Sequence, residues 1–192
     1  MENEHRCFLA IDIDPDLIKN IAKLQDEFKQ TKNNVKYVEK ENLHFTLKFF
    51  GNISEDIIEK IKKSVQKVLK NDNLKSENPN FEISIEKIGT FPNENYMKVL
   101  WIGTKNNSFL INLKKELDLE FKELGFKLDK NFKTHLTIGR IKNLKYKKEF
   151  KEKIEELKDI EIGKMNINKI SLKKSQLTPN GPIYSDIEVF HI

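Results

Sequence analysis

Two stretches of this chain, His44-Phe45-Thr46-Leu47 and His135-Leu136-Thr137-Ile138, repeat one pattern of histidine, apolar, threonine, apolar. Each sits in a run that reads as a β-strand. Successive strand side chains point to opposite faces, and alternate residues stand roughly 7 Å apart on one face. His44 and Thr46 therefore share a face, with Leu43, Phe45, Leu47 and Phe49 on the other. His135 and Thr137 likewise oppose Leu136 and Ile138. Imidazole exchanges protons near neutral pH, and a threonine hydroxyl donates a hydrogen bond. Two such pairs supply two proton-transfer groups and two donors, a set suited to metal-free chemistry on a phosphate.

The elements around the motifs repeat as well. The histidines lie 91 residues apart in a chain of 192. After the first motif, Ser54 can cap a helix with Glu55 and Asp56 in its first turn and Ile57, Ile58, Ile61, Val65, Val68 and Leu69 as its apolar stripe. After the second, a lysine- and glutamate-rich segment carries Phe150, Ile154 and Leu157 at helical spacing. Each half then offers a strand, 81–85 in one and 165–172 in the other. Before the first motif comes an apolar strand over 8–13. Asp14-Pro15 then opens a helix with Pro in the first turn and Leu17, Ile18, Ile21, Leu24 and Phe28 on one face. Before the second motif, Val99-Leu100-Trp101-Ile102 is the strand. Ser108 caps a helix bearing Phe109, Leu113, Leu117, Phe121 and Leu124 and ended by Gly125.

The order strand, helix, His-strand, helix, strand thus occurs twice. It predicts an α+β fold of two pseudo-symmetric lobes, each an antiparallel sheet with helices on the outside, facing each other across a central cleft. Neither half has enough apolar residues for a core of its own. A single bilobal domain over 1–192 is the expectation.

Composition narrows the class. Charged residues make up 34% and hydrophobic residues 38% of the chain, ordinary for a folded, well-charged surface. Cys7 is the sole cysteine, so no intramolecular disulfide forms, and a cytoplasmic setting is expected. No apolar run approaches the ~18 residues of a membrane span, and no signal-peptide core is visible near the N-terminus. The stretch 71–80 reads as a polar loop and 142–148 as a basic one.

The net charge of +5 points to an acidic partner, although paired lysines such as Lys62-Lys63 and Lys147-Lys148 are ordinary solvated helix faces. Only Arg6 and Arg140 are arginines among 35 basic residues. Where lysine is the default cation, an arginine marks a place for a planar fork of donors, which suits phosphate. Strict alternation puts Arg140 on the face opposite His135, but Gly139 offers a bulge that re-aims it. Other site chemistries find no footing. A P-loop, a dinucleotide fingerprint, His-Glu-x-x-His and a cysteine cluster are all absent. Neither histidine has the acidic or thiol company of a metal site. Phe8, Phe49, Phe91 and Trp101 are strand aromatics, of which one or two are expected to line a cleft. His5 and His191, near the ends and without repeated context, read as surface residues.

These residues resemble the two-histidine phosphoesterases, and among them the RNA 2′,3′-cyclic phosphodiesterases, also called 2′-5′ RNA ligases. The resemblance runs from Arg6-Cys7-Phe8-Leu9-Ala10-Ile11-Asp12 through Leu43-His44-Phe45-Thr46-Leu47-Lys48-Phe49-Phe50-Gly51. It continues with Gly89-Thr90-Phe91-Pro92, Val99-Leu100-Trp101 and His135-Leu136-Thr137-Ile138-Gly139-Arg140, and closes on Ser175-Gln176-Leu177 and Gly181-Pro182-Ile183-Tyr184. One departure is the stretch 93–97, where relatives often carry basic residues and this chain has Lys98 alone just beyond it.

The resemblance implies an enzyme without cofactor or metal that opens 2′,3′-cyclic phosphate ends of RNA to 2′-phosphates. It assigns His44 as proton donor to the leaving oxygen and His135 as proton acceptor from water. Read from the residues alone, the motifs are symmetric and leave that choice open. Thr46, Thr137 and Arg140 are the expected phosphate contacts. Ligation of a cyclic-phosphate end to a 5′-hydroxyl ranks below hydrolysis, because water at ~55 M outcompetes a second end unless that end is tightly positioned. A non-catalytic RNA- or nucleotide-binding module is the third reading; binding alone has no need of two proton-transfer groups. Nothing in the sequence demands more than a monomer.

Overall fold

The helices begin and end where the local chemistry directs. In the computed structural model, which describes residues 4–71, 81–129, 132–179 and 181–192, Asp14 caps α1 (Pro15–Lys29) by accepting from the Asp16 amide at 3.0 Å. Pro15 fills the first helical position, where its missing N–H costs no helix hydrogen bond. Ser54 precedes α2 (Glu55–Leu69) without a side-chain cap bond. Helix α3 (Ser108–Glu123) is preceded by Asn107, so Ser108 is its first residue and not its cap. At its far end Gly125 takes φ +90°, and the Phe126 amide reaches back to the Phe121 carbonyl at 3.0 Å. The fourth helix, α4 (Lys147–Glu156), buries Phe150 and Ile154.

Nine strands form one antiparallel sheet among the described residues: β1 (His5–Asp12), β2 (Asn34–Tyr37), β3 (His44–Ile53), β4 (Glu82–Asn93), β5 (Tyr96–Lys105), β6 (His135–Asn143), β7 (Glu161–Asn166), β8 (Lys169–Thr178) and β9 (Gly181–His191). Their order is β7-β4-β5-β6-β3-β1-β8-β9, with β2 along β6. The two lobes are thus joined edge to edge through β3 and β6, which pair at Phe45 and Leu136. The expected strand over 165–172 is two strands broken at Ile167 and Asn168. Of the basic loop expected over 142–148, residues 144–146 form the connecting turn, while 142–143 end β6 and 147–148 open α4. The loop expected over 71–80 lies, apart from Asn71, outside the described residues.

The two sequence repeats do not each build one lobe. Strand β4, from the first half, closes a hairpin with β5, where the Asn93 carboxamide oxygen accepts from the Asn95 and Tyr96 amides. It therefore joins the lobe of β6, while β8, from the second half, pairs with β1 in the lobe of β3. Helices are exchanged in the same sense. Phe28 of α1 packs on Phe150 of α4, with ring centroids 5.1 Å apart, and the Gln25 amide donates to the Ile138 carbonyl of β6. Phe121 of α3 packs edge-on against Phe50 of β3 at 5.0 Å. Short local connections favour such hairpin pairing over a long return within each half. The buried apolar residues of both lobes form one cluster.

Both motif strands carry a bulge four residues after the residue preceding their histidine. Along β1–β3, Leu9 faces Lys48 and Ala10 faces Thr46, leaving Leu47 extra. Along β5–β6, Leu100 faces Gly139 and Trp101 faces Thr137, leaving Ile138 extra. An extra residue puts two consecutive side chains on one side. Lys48 is accordingly buried, and Phe49, expected on the core face, is 64% exposed on the side of His44 and Thr46. Arg140 is the counterpart of Phe49 and turns to the face of His135.

Lys48 enters the core with company. Its ammonium donates to the Lys127 carbonyl and lies 3.0 Å from Asp129 and 3.2 Å from Asp118. Lys114 contacts the same two carboxylates. This four-charge cluster ties β3 and α3 to the segment leading toward β6.

Candidate active site

Phe45 and Leu136, at 1% and 0% exposure, point into the core. Their neighbours must point the other way. The antiparallel register through that pair sets His44 across from Thr137 and Thr46 across from His135. All four polar side chains are half-buried on one face at the line where the lobes meet.

Each imidazole is held in the same way. His44 Nδ1 lies 2.7 Å from the Asn42 carbonyl, and His135 Nδ1 lies 2.7 Å from the Lys133 carbonyl. A carbonyl only accepts, so Nδ1 carries the proton and donates. The other nitrogen, Nε2, is left as the working atom of both rings: acceptor when neutral, donor when charged. The shared two-residue offset follows from the chain turning into each strand.

The surroundings of the two rings differ. His44 has Phe8 at 5.0 Å and Tyr184 edge-on at 5.4 Å. His135 has Phe91 edge-on at 4.9 Å, and Phe91 stacks on Trp101 at 5.0 Å. Burial holds the His44 pKa below its ordinary value, against the Asn42 carbonyl bond and the Asp12 charge, which raise it. Lys173 and Arg140 add to the lowering. Asp12 stands across from His44 in the β1–β3 register, and Lys173 bridges Asp12 at 3.0 Å and Asp186 at 2.7 Å. Tyr184 is pushed above the usual phenol range by burial, opposed by the Arg140 and Arg6 charges.

The five residues singled out from sequence, His44, Thr46, His135, Thr137 and Arg140, thus share one face. Strand reasoning missed Asp12, Lys173 and Tyr184 because they arrive from neighbouring strands by sheet order. Of the four strand aromatics, Phe8 is buried against His44, Phe49 is exposed, and Phe91 and Trp101 flank His135. His5 is not a free surface residue: its Nε2 lies 2.7 Å from Glu55. Among the described residues no cluster of three or more His, Cys, Asp or Glu is placed to hold a metal ion, and no helix is long and apolar enough to cross a membrane.

A sheet folded into two pseudo-equivalent lobes, each presenting one His-x-Thr at their junction, defines a two-histidine phosphoesterase architecture. The LigT-like phosphoesterase family matches residues 11–101 and 103–184, and the chain belongs to that family. It is 43% identical over 187 residues to a protein of Methanothermobacter thermautotrophicus, covering 97% of this chain and 98% of that one. It is 45% identical over 183 residues to one of Methanocaldococcus jannaschii, covering 95% and 98%. Both relatives bear the name RNA 2′,3′-cyclic phosphodiesterase. The fold also matches a crystal structure from Thermus thermophilus, with TM-score 0.73, 23% identity and 97% of each chain covered. Escherichia coli LigT complexed with 3′-AMP matches with TM-score 0.70 and 18% identity, over 100% of this chain and 99% of that one.

Proposed function

We propose that this protein is a metal-free RNA 2′,3′-cyclic phosphodiesterase that leaves a 2′-phosphate. The observation that carries the reading is the matched pair of imidazoles, each pinned at Nδ1 with Nε2 available on the face shared with both threonines. Opening the cyclic diester requires water to attack phosphorus in line with the departing 3′-oxygen. Water must lose a proton and the alkoxide must gain one, so one base and one acid are needed on opposite sides of phosphorus. His135 takes the proton from water and His44 gives one to the leaving oxygen. Thr46 and Thr137 hydroxyls and the Arg140 guanidinium hold the non-bridging oxygens as their charge grows. The phosphate anion, once seated, favours the imidazolium of His44 and offsets the effect of its burial.

Full-length identity to relatives so named supports the reaction. RNA is the corresponding partner and the cytoplasm the corresponding setting, where the buried Cys7 stays a free thiol. A monomer suffices, since both histidines come from one chain. The test is incubation with an RNA ending in a 2′,3′-cyclic phosphate, with and without EDTA. A 2′-phosphate product in both is the expected result. A 3′-phosphate, no turnover, or loss in EDTA that a divalent ion restores overturns the reading.

A further inference from the structure

The two imidazoles are pinned alike, but the carbonyls that pin them are not held alike. Asn42, at His44, belongs to a short 3₁₀ helix over Lys40–Asn42, where its amide donates to the Glu39 carbonyl at 2.9 Å. Its carboxamide also donates to the Pro182 carbonyl at 3.3 Å. Lys133, at His135, has no such frame. Among the described residues, 127–129 and 132–134 make no backbone–backbone hydrogen bond.

Two buried ammonium groups hold this segment instead. Lys48, four residues after His44 on β3, donates to the Lys127 carbonyl and to Asp129 at 3.0 Å, with Asp118 at 3.2 Å. An ammonium has three N–H donors, and these three oxygens match them. Lys114 of α3 bridges Asp118 and Asp129, the latter at 2.8 Å. Its Nζ also lies over the ring of Phe132, 5.2 Å from the centroid. Phe132 directly precedes Lys133. Buried ion networks add little stability over apolar packing of the same shape. What a fully paired network supplies is one fixed arrangement.

We infer that Lys48 and Lys114 are positioning residues for His135. They grip the segment before β6 at Lys127, Asp129 and Phe132, where backbone bonds are missing, and so keep the Lys133 carbonyl at the imidazole. Nδ1 then retains its proton, and Nε2 is left to accept one. What Nε2 does with it rests on the phosphodiesterase reading; the hold on the ring does not. Because Lys48 belongs to the strand of His44, the anchor of one motif's ring is carried by the strand of the other.

The tautomer of the neutral ring reports the hold. Long-range proton–nitrogen correlation spectra of the wild type should show His44 and His135 both protonated at Nδ1. Lys114→Met removes a charge and keeps its stem. Asp129→Ala, at a side chain 46% exposed, removes the segment's own carboxylate and leaves both ammoniums with Asp118. In either variant His135 should pass to a mixture of tautomers while His44 stays protonated at Nδ1. On cyclic-phosphate RNA, kcat should fall about tenfold or more with KM nearly unchanged. Asp118→Ala is the control, because it costs the cluster a carboxylate from α3 but no contact to the segment. It should lower stability and leave the His135 tautomer as it is. An unchanged His135 tautomer in Asp129→Ala overturns the inference, whether or not Lys114→Met folds. An equal response of both rings, or an equal response to Asp118→Ala, also overturns it, since each marks general loosening. The spectra need no substrate, so absence of turnover by the wild type counts against the phosphodiesterase reading alone.

Discussion

Phe45 and Leu136 lie directly opposite each other at the junction of β3 and β6, and each is the residue immediately after a histidine. The local two-fold axis of the molecule therefore passes between two core side chains. Positions of the polar groups on the other face are fixed by how these two apolar residues pack. Proton transfer needs that kind of support, because a displacement of about 1 Å at the reacting groups costs on the order of a hundredfold in rate.

Replacing either histidine by alanine should cost about 10²- to 10⁴-fold in kcat on cyclic-phosphate RNA with little change in RNA binding. The double variant should be little worse than either single, because the pair works as a unit. An activated aryl phosphodiester separates the roles. Its phenolate departs without a proton, so His44→Ala should be rescued on it and His135→Ala should not. Rescue of His135→Ala instead reverses the assignment.

The pH profile follows from the lowered pKa of His44. As the proton donor, His44 must be charged in the free enzyme, so kcat/KM should fall as pH rises through a value below 6.5. In the complex the substrate anion favours the imidazolium, and the same limb of kcat should lie at higher pH. Arg140→Ala removes a cation that lowers His44, so the kcat/KM limb should move up in pH. A limb that rises with pH through that same value makes His44 the base.

Asp118→Ala leaves Lys48 and Lys114, at 5% and 3% side-chain exposure, with Asp129 as their remaining carboxylate. Removing one partner from a buried charge cluster costs about 3–5 kcal/mol. A lower urea midpoint at unchanged slope is the expected reading. No loss of stability means that the cluster is fully hydrated in solution.

A Cβ at position 139 would lie 2.8 Å from Val35 Cγ1, and the short, stiff valine cannot swing aside. Gly139→Ala should therefore displace β2 or straighten the bulge, costing about 1–3 kcal/mol. It should also weaken phosphate binding by re-aiming Arg140. An increase in KM together with the stability loss is expected. Stability loss alone means that the aim of Arg140 does not depend on the bulge.

Much of the site was legible because its residues repeat. His44, Thr46, His135 and Thr137 announce a strand period and a shared face by spacing alone. Arg140 was legible through Gly139, the one local sign of a bulge. Its counterpart at Leu47 and Lys48 gave no such sign, since a lysine after an apolar run reads as solvent-facing, and Phe49 was assigned to the wrong face. Strand order was hidden for another reason. Hydrophobic pattern tells which side of a strand is buried but not which strand lies beside it, so the exchange of β4 and β8, and with it the approach of Tyr184 and Lys173 to His44, appears only in the fold.

That exchange has a consequence for how the molecule works. Each lobe is completed by two strands and a helix from the opposite half of the chain, β8, β9 and α3 in one and β2, β4 and α1 in the other, so neither half of the sequence can assemble a lobe alone. A fragment ending before β5 would therefore lack part of both lobes, and the face that carries His44 and His135 comes into being only when the two halves of the chain have folded around each other.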